Sequence, residues 1–416
     1  MLKPPFHRWL IRHRGDVRRW MACRLHDASW WAVVIWIAAG SASAAPAVAL
    51  RELAPGVGYT NEVLERGPWS IHVVRVARDV PGVQVVSVHA EGGALGLATV
   101  SEQVESIPPS VGVPLAAVNG DFYQRDRFFA GDPRGLQVMQ GELTSVPQHR
   151  GGVAFWIDAQ GLPHAGNVQP ALTVTWADGF SAPFGLNEER PLDGLVLYTA
   201  AVRGHLRNMG GREWVLSPTQ GPTTPLVATP GADLSLRVNE VRTSGGGTVP
   251  TNRWVLSAGP MWLRRNPAGS NTLEGATLRV RMQTLPALDG ARHAIGGGPI
   301  LVSGGRAQKI VPPRSDSYEF SSMTQRHPRS AFGWNATHWL LFQVDGRQPG
   351  LSVGMTLEEL GATMARWGCE EGMNLDGGGS SSIWAVGRTR NSPCEGRERD
   401  VANALVVVRA KAGSSK

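Results

Sequence analysis

The chain has 416 residues, 42% of them hydrophobic and 18% charged, with a formal net charge of +7. That length allows one large or two medium domains, and the apolar share is ample for a core, which excludes a disordered chain. Its 51 glycines and 29 prolines are scattered without a repeat, which points to a turn-rich β or α+β protein.

The first 44 residues read as a secretory leader. Lys3, Arg8, Arg12, Arg14, Arg18, Arg19 and Arg24 form a basic region, and residues 30–39 form an apolar run too short to span a bilayer. Ala42-Ser43-Ala44 is a small-residue cleavage signal, so the cut is expected after Ala44 and the mature chain in the periplasm or outside the cell. The leader carries seven Lys/Arg against two Asp/Glu, so without it the charge falls from +7 to about +2. Basicity therefore gives no argument for a nucleic-acid partner. Cys23 leaves with the leader. Cys369 and Cys394 remain, and in an oxidising compartment they are expected to form a disulfide.

A linker is expected over 45–68, followed by one catalytic domain over 69–410 and a short tail. In chain order, 71–76 and 83–88 are β-branched runs separated by Asp79-Val80-Pro81-Gly82, and they predict a hairpin. A short helix is expected from Thr99. Next, the apolar run 114–118 enters Asn119-Gly120-Asp121-Phe122-Tyr123. Asn-Gly is a strong hairpin signal, but here a long polar loop with Asp126, Arg127, Asp132 and Arg134 runs on to Gly135, a good place for a site. Strands are expected around 135–146, 151–157, 172–176, 195–199, 214–216, 234–241 and 254–257. Asn187 reads as a turn residue. Residues 277–283 alternate apolar and polar, as an antiparallel strand with one exposed face should.

A first glycine cluster, Gly296-Gly297-Gly298, then abuts the apolar run 300–302. His327-Pro328-Arg329 leads into another strand, where an arginine either pairs with an acid or binds an anionic ligand bidentately. The strand over 339–344 ends at Asp345-Gly346-Arg347. The clearest helix is 356–367: Thr356 and Glu359 make a capping box, and Leu357, Leu360, Met364 and Trp367 share a face. It delivers the chain to Asp376-Gly377-Gly378-Gly379-Ser380, a turn whose amides could cradle an anion, or which could be a plain tight turn. The run 401–409 makes the last strand. Many strands and few helices give an α+β fold dominated by mixed or antiparallel sheet.

Asn119, Asp121, Arg329 and Asp376 are thus the candidate catalytic residues. A guanidinium with oriented amides suits a phosphodiester, and a carboxylate beside them suits acid–base work. A sugar joined through its anomeric oxygen to phosphate carries a good leaving group, so one acid plus an anion clamp could suffice where ordinary glycosidases need two. No metal is required by this scheme. Calcium on Asp121, Asp126, Asp132 and Asp376 is possible, although no loop has EF-hand spacing.

The ordered motifs AVNGDFY, GLQV-x-x-GEL, AIGGGPILV, HPRSAFG, VDGRQPGLSVGMTLEEL and NLDGGGSSS resemble the phosphodiester glycosidase family over about residues 69–409. The resemblance implies hydrolysis of a sugar–phosphate diester at the glycosidic bond, outside the cytoplasm. It implies active-site roles for Asn119, Gly120, Gly297, Gly298, Arg329 and Asp376 through Ser380, with Tyr123 and Arg347 expected beside them as substrate contacts. Many members have a second glycine where this chain has Asp121, which adds a carboxylate. Two other readings stay open: a phosphodiesterase breaking the P–O bond, and a noncatalytic envelope-glycan binding protein using the ten tryptophans beyond the leader.

Overall fold

The computed structural model describes residues 49–65, 67–125, 128–147, 151–206, 209–219, 226–313 and 318–410. The leader and its cleavage site, Asp126, Arg127 and the tail 411–416 lie outside them.

Among the described residues strand takes 45% and helix 9%, which makes the fold a β-dominated α+β one. The strands form three sheets. In the first, of eight strands, the centre is Trp69–Ala77, His338–Val344, Arg329–Trp334 and Glu371–Asn374, side by side. In the second, of five, Val113–Asn119 lies between Ile383–Ala385 and Asn403–Arg409. The third has twelve and includes Gly152–Ile157, Pro163–Thr175, Thr277–Leu285 and His293–Gly297. Among the described residues every strand pair is antiparallel except Gly185–Leu186 with Leu195–Tyr198. Thr277–Leu285 alternates buried and exposed positions along most of its length, as its sequence requires.

Two expectations are corrected. The stretch expected as a linker forms strands Arg51–Ala54 and Val57–Leu64, and Val57–Leu64 pairs with Trp69–Ala77 along its whole length. The expected 71–76/83–88 hairpin does not form. Trp69–Ala77 lies in the eight-stranded sheet, while Val83–His89 crosses to the five-stranded sheet and pairs with Asn403–Arg409. The local turn signal was real, but each apolar run is buried by a different sheet.

Apolar packing joins the sheets. Phe155 of the twelve-stranded sheet meets Phe332 edge-on at 4.9 Å and Trp334 at 5.3 Å in the eight-stranded one. Leu115, Val118, Ile383 and Leu405 of the five-stranded sheet belong to the same cluster. The helix Leu357–Arg366 carries its capping box intact: Glu359 N–H donates to Thr356 Oγ1, and Thr356 N–H to Glu359 Oε2. It buries Leu357, Leu360 and Met364 against Leu301 and Val302. The short helix Val100–Glu105 has the same box, Thr99 with Glu102. Among the described residues no helix is long and apolar enough to cross a membrane.

The expected disulfide is also corrected: Cys369 and Cys394 are both free. Cys369 is buried beside Gly333 in the eight-stranded sheet, and burial pushes its thiol up to about 12. Cys394 follows Ser392, whose N–H donates to Asp345 just past the other end of the neighbouring strand, opposite Arg329.

Candidate active site

The ends of three strands, one from each sheet, meet at one seam. Val113–Asn119 brings in Asn119-Gly120-Asp121, His293–Gly297 brings in the first glycine cluster, and Glu371–Asn374 runs into Asp376. Hydrogen bonds sew them together. Asp376 N–H donates to Gly120 O at 2.9 Å, and Asn119 Nδ2 to Asp376 O at 2.8 Å. Gly298 N–H donates to Asn374 O at 2.7 Å, and Asn374 Nδ2 returns a bond to Gly298 O at 2.9 Å. Asn119 is fully buried, and its Oδ1 accepts from Ser330 Oγ at 2.6 Å and Ser382 N–H at 3.0 Å. It lies behind the site wall as a positioning residue, as does Gly120.

Two adjoining cavities open on this seam. The smaller, about 440 Å³, is lined by Asp376, Gly377, Gly378, Gly379, Ser380 and Tyr123, and by Arg125, Arg134, Arg329, Arg347 and Arg399. The larger, about 1110 Å³, is lined by Asp121, Gly297 and Gly298 among others. Phe122, Arg134 and Ser322 border both. The sequence-marked residues are therefore brought together, but on two walls. Arg125, Arg134, Arg399 and Phe122 were not singled out. Phe122 and Arg134 sit in or beside the loop flagged as a site, and Arg399 lies in the charge-dense run 395–400, which offered no motif.

The carboxylates are unusual. Asp121 is only 2% exposed. Its Oδ1 accepts Phe122 N–H at 2.8 Å and its Oδ2 accepts Gly135 N–H at 2.7 Å. Burial outweighs these bonds and pushes its carboxyl up to about 7, with the nearby charge of Asp376 acting in the same direction. Asp376 is half-buried, and its Oδ1 accepts Gly377 N–H at 2.8 Å. Burial raises it to about 6, against the opposing pull of the Ser380 hydroxyl, the Gly377 amide, Arg399 and Arg134.

The glycine turns do a different job from the one expected. Gly377 N–H is taken by Asp376, Gly378 N–H by Pro328 O at 2.9 Å, and Gly298 N–H by Asn374 O, so these amides are not offered to an anion. The glycines instead let charged groups come close. Gly378 has φ 64°, and a Cβ there would stand 3.2 Å from Arg347 Nη2. Room for Asp121 depends on Gly296: a Cβ there would lie 2.9 Å from Asp121 Cγ and 2.9 Å from Gly135 Cα. Gly296→Ala is expected to cost about 1–3 kcal/mol of stability, read as a lower thermal midpoint; an unchanged midpoint would show that the wall gives.

Arg329 is 3% exposed, and its guanidinium donates to three backbone carbonyls, Met355 O at 2.7 Å, Ser322 O at 2.6 Å and Gln325 O at 2.8 Å. It braces the end of the helix Tyr318–Thr324 as well as facing the cavity. Arg347 Nη2 lies 3.2 Å from His327 Nδ1, and burial, then Arg329 and Arg347, hold that histidine below its usual range. Arg399 donates to Glu395 Oε2 at 3.0 Å and approaches Ser380 Oγ at 3.5 Å. Tyr123 donates to Asp400 O at 2.8 Å. Asn187 is a buried brace, donating to Thr144 O and Thr199 Oγ1.

Among the described residues no three His, Cys, Asp or Glu side chains gather as a metal site, and each Asp121 oxygen already accepts an amide. Asp126 lies outside the described residues.

Residues 234–408 match the model of the phosphodiester glycosidase family. The SPbeta prophage-derived uncharacterized protein YomE of Bacillus subtilis strain 168 is 30% identical over 119 residues, 28% of this chain and 18% of that protein. The match thus spans less than a fifth of that relative. Two crystal structures share the fold. A hypothetical protein from Synechocystis has a TM-score of 0.69 at 20% identity, over 88% of this chain and 64% of that one. A putative exported protein from Burkholderia pseudomallei K96243 has 0.62 at 23% identity, over 82% and 74%.

Proposed function

We propose that this chain hydrolyses the glycosidic bond of a sugar-1-phosphodiester. The family match over 234–408 supports the reaction class. The observation that carries the reading is two upshifted carboxylates, Asp121 buried and Asp376 half-buried, beside a cavity walled by five arginines. The phosphodiester sits among the guanidiniums of Arg134, Arg347 and Arg399, which neutralise the charge that grows on the departing phosphate. Asp376, with the lower pKa, is the ionised partner. It takes a proton from the water that attacks the anomeric carbon and steadies positive charge on the sugar ring. Asp121, with the higher pKa, holds a proton and passes it to the bridging oxygen as the C–O bond breaks. The products are the free sugar and a phosphate monoester, and the proton taken by Asp376 balances the one given by Asp121. Asn119 and Arg329 hold these groups in place.

Periplasmic or secreted location belongs to the same proposal and rests on the leader at 1–44. The test is hydrolysis of a methyl phosphodiester of N-acetylglucosamine in ¹⁸O-water. Label is expected in the sugar. Label in the phosphate would make the chain a phosphodiesterase, and saturable binding without turnover across a panel of such diesters would make it a glycan-binding protein.

A further inference from the structure

The two cavities differ in charge. Among the described residues the smaller is lined by five arginines and one carboxylate, Asp376. The larger is lined by Asp121, Asp132, Glu188 and Glu189 with Arg134 at the border and Arg190, so its acids and cations nearly balance. A phosphate is therefore drawn to the smaller cavity. Carboxylates are good acceptors for sugar hydroxyls. Apolar surfaces, Phe122 at the border and Met323 and Pro299 further in, suit the C–H faces of pyranose rings. Size adds a second constraint. A volume near 1110 Å³ matches or exceeds the roughly 300–1,000 Å³ filled by a drug-sized ligand, and a lone pyranose is smaller than that.

We propose that the larger cavity holds the sugar side of the substrate and that this side is an oligosaccharide of two or more residues. The preferred substrate is then an uncharged oligosaccharide joined through its reducing-end anomeric oxygen to a phosphodiester. The first ring lies over Phe122 beside Asp121, the diester turns the corner at Arg134, and the group beyond the phosphate points out through the arginine cavity. This rests on the glycosidase reading above and adds to it an orientation and a length.

The test uses methyl phosphodiesters of mono-, di- and tri-N-acetylglucosamine and of mono-, di- and triglucose, together with monosaccharide diesters whose alcohol is lengthened instead. kcat/KM is expected to rise about tenfold from one sugar to two and to change little with the alcohol. Met323→Trp, which narrows the larger cavity, is expected to bring the disaccharide-to-monosaccharide ratio toward one. Equal rates for all sugar lengths, or a length preference confined to the alcohol, would overturn the proposal. Should no diester be cleaved, the glycosidase reading fails by itself. Calorimetric titration of the protein with the mono-, di- and trisaccharide-1-phosphates then still decides the question: affinity must rise with sugar length, and flat affinity overturns it.

Discussion

Asp376→Asn is expected to lower kcat by about a thousandfold or more, within the range that acid–base groups contribute, while the protein stays folded. The exchange keeps the shape of the side chain and an oxygen to accept Gly377 N–H, and the backbone bonds that fix residue 376, from Asn119 and to Gly120, do not involve the carboxylate. It removes the charge that the proposal needs at the anomeric carbon. Steady-state kinetics on a sugar-1-phosphodiester, with thermal unfolding run beside them, make the check. Near-full activity in a folded variant would remove Asp376 from the chemistry. Arg329→Ala is a poorer probe, because three backbone carbonyls lose their donor at once.

The second large effect concerns pH. Activity should need Asp376 ionised and Asp121 protonated, so kcat is expected to climb through about pH 6 and fall again beyond about pH 7. Asp121→Asn should abolish the falling arm. Stability follows the same residue. The folded state holds the Asp121 proton up to about pH 7, while in the unfolded chain it leaves near the ordinary aspartate value of 3.8. The folded state therefore binds more protons between those limits, and stability is lost as pH rises from about 4 to about 7. At roughly 1.4 kcal/mol per pH unit, the three-unit window amounts to about 4 kcal/mol. Asp376 contributes in the same direction. The thermal midpoint of the wild type should fall between pH 5 and pH 8, and in Asp121→Asn the fall should be clearly smaller. Parallel pH dependence in the two proteins would show that Asp121 is not the buried, proton-holding group described.

The local signals that proved reliable were those with a local cause. The capping box at Thr356, the short helix from Thr99 and the alternation over 277–283 depend on neighbours a few residues away, and they formed as expected. The hairpin at 79–82 failed because a distant strand, Asn403–Arg409, decides where Val83–His89 is buried, and the linker at 45–68 failed because Val57–Leu64 pairs with the strand that follows it, Trp69–Ala77. At the candidate site, amides of Gly298, Gly377 and Gly378 are taken up within the protein, and the arginines of the smaller cavity come from three loops and the start of the strand Arg329–Trp334. Arg399 had no motif to announce it, and the count of two cysteines could not reveal that both are free.

The three-sheet seam also bears on how the protein is made. Asn119 reaches Asp376 across 257 residues, and Asp121 N–H reaches Asn403 across 282. Such contacts are the slowest kind to establish, since most of the intervening chain must be ordered first. During synthesis the Asn119–Asp121 wall leaves the ribosome long before its partners do and must wait, unpaired, for nearly the whole chain. The stretch 234–408 that carries the family match omits that wall and Arg134, so it holds Asp376 without Asp121. The proposed chemistry uses both walls, so it depends on their late pairing.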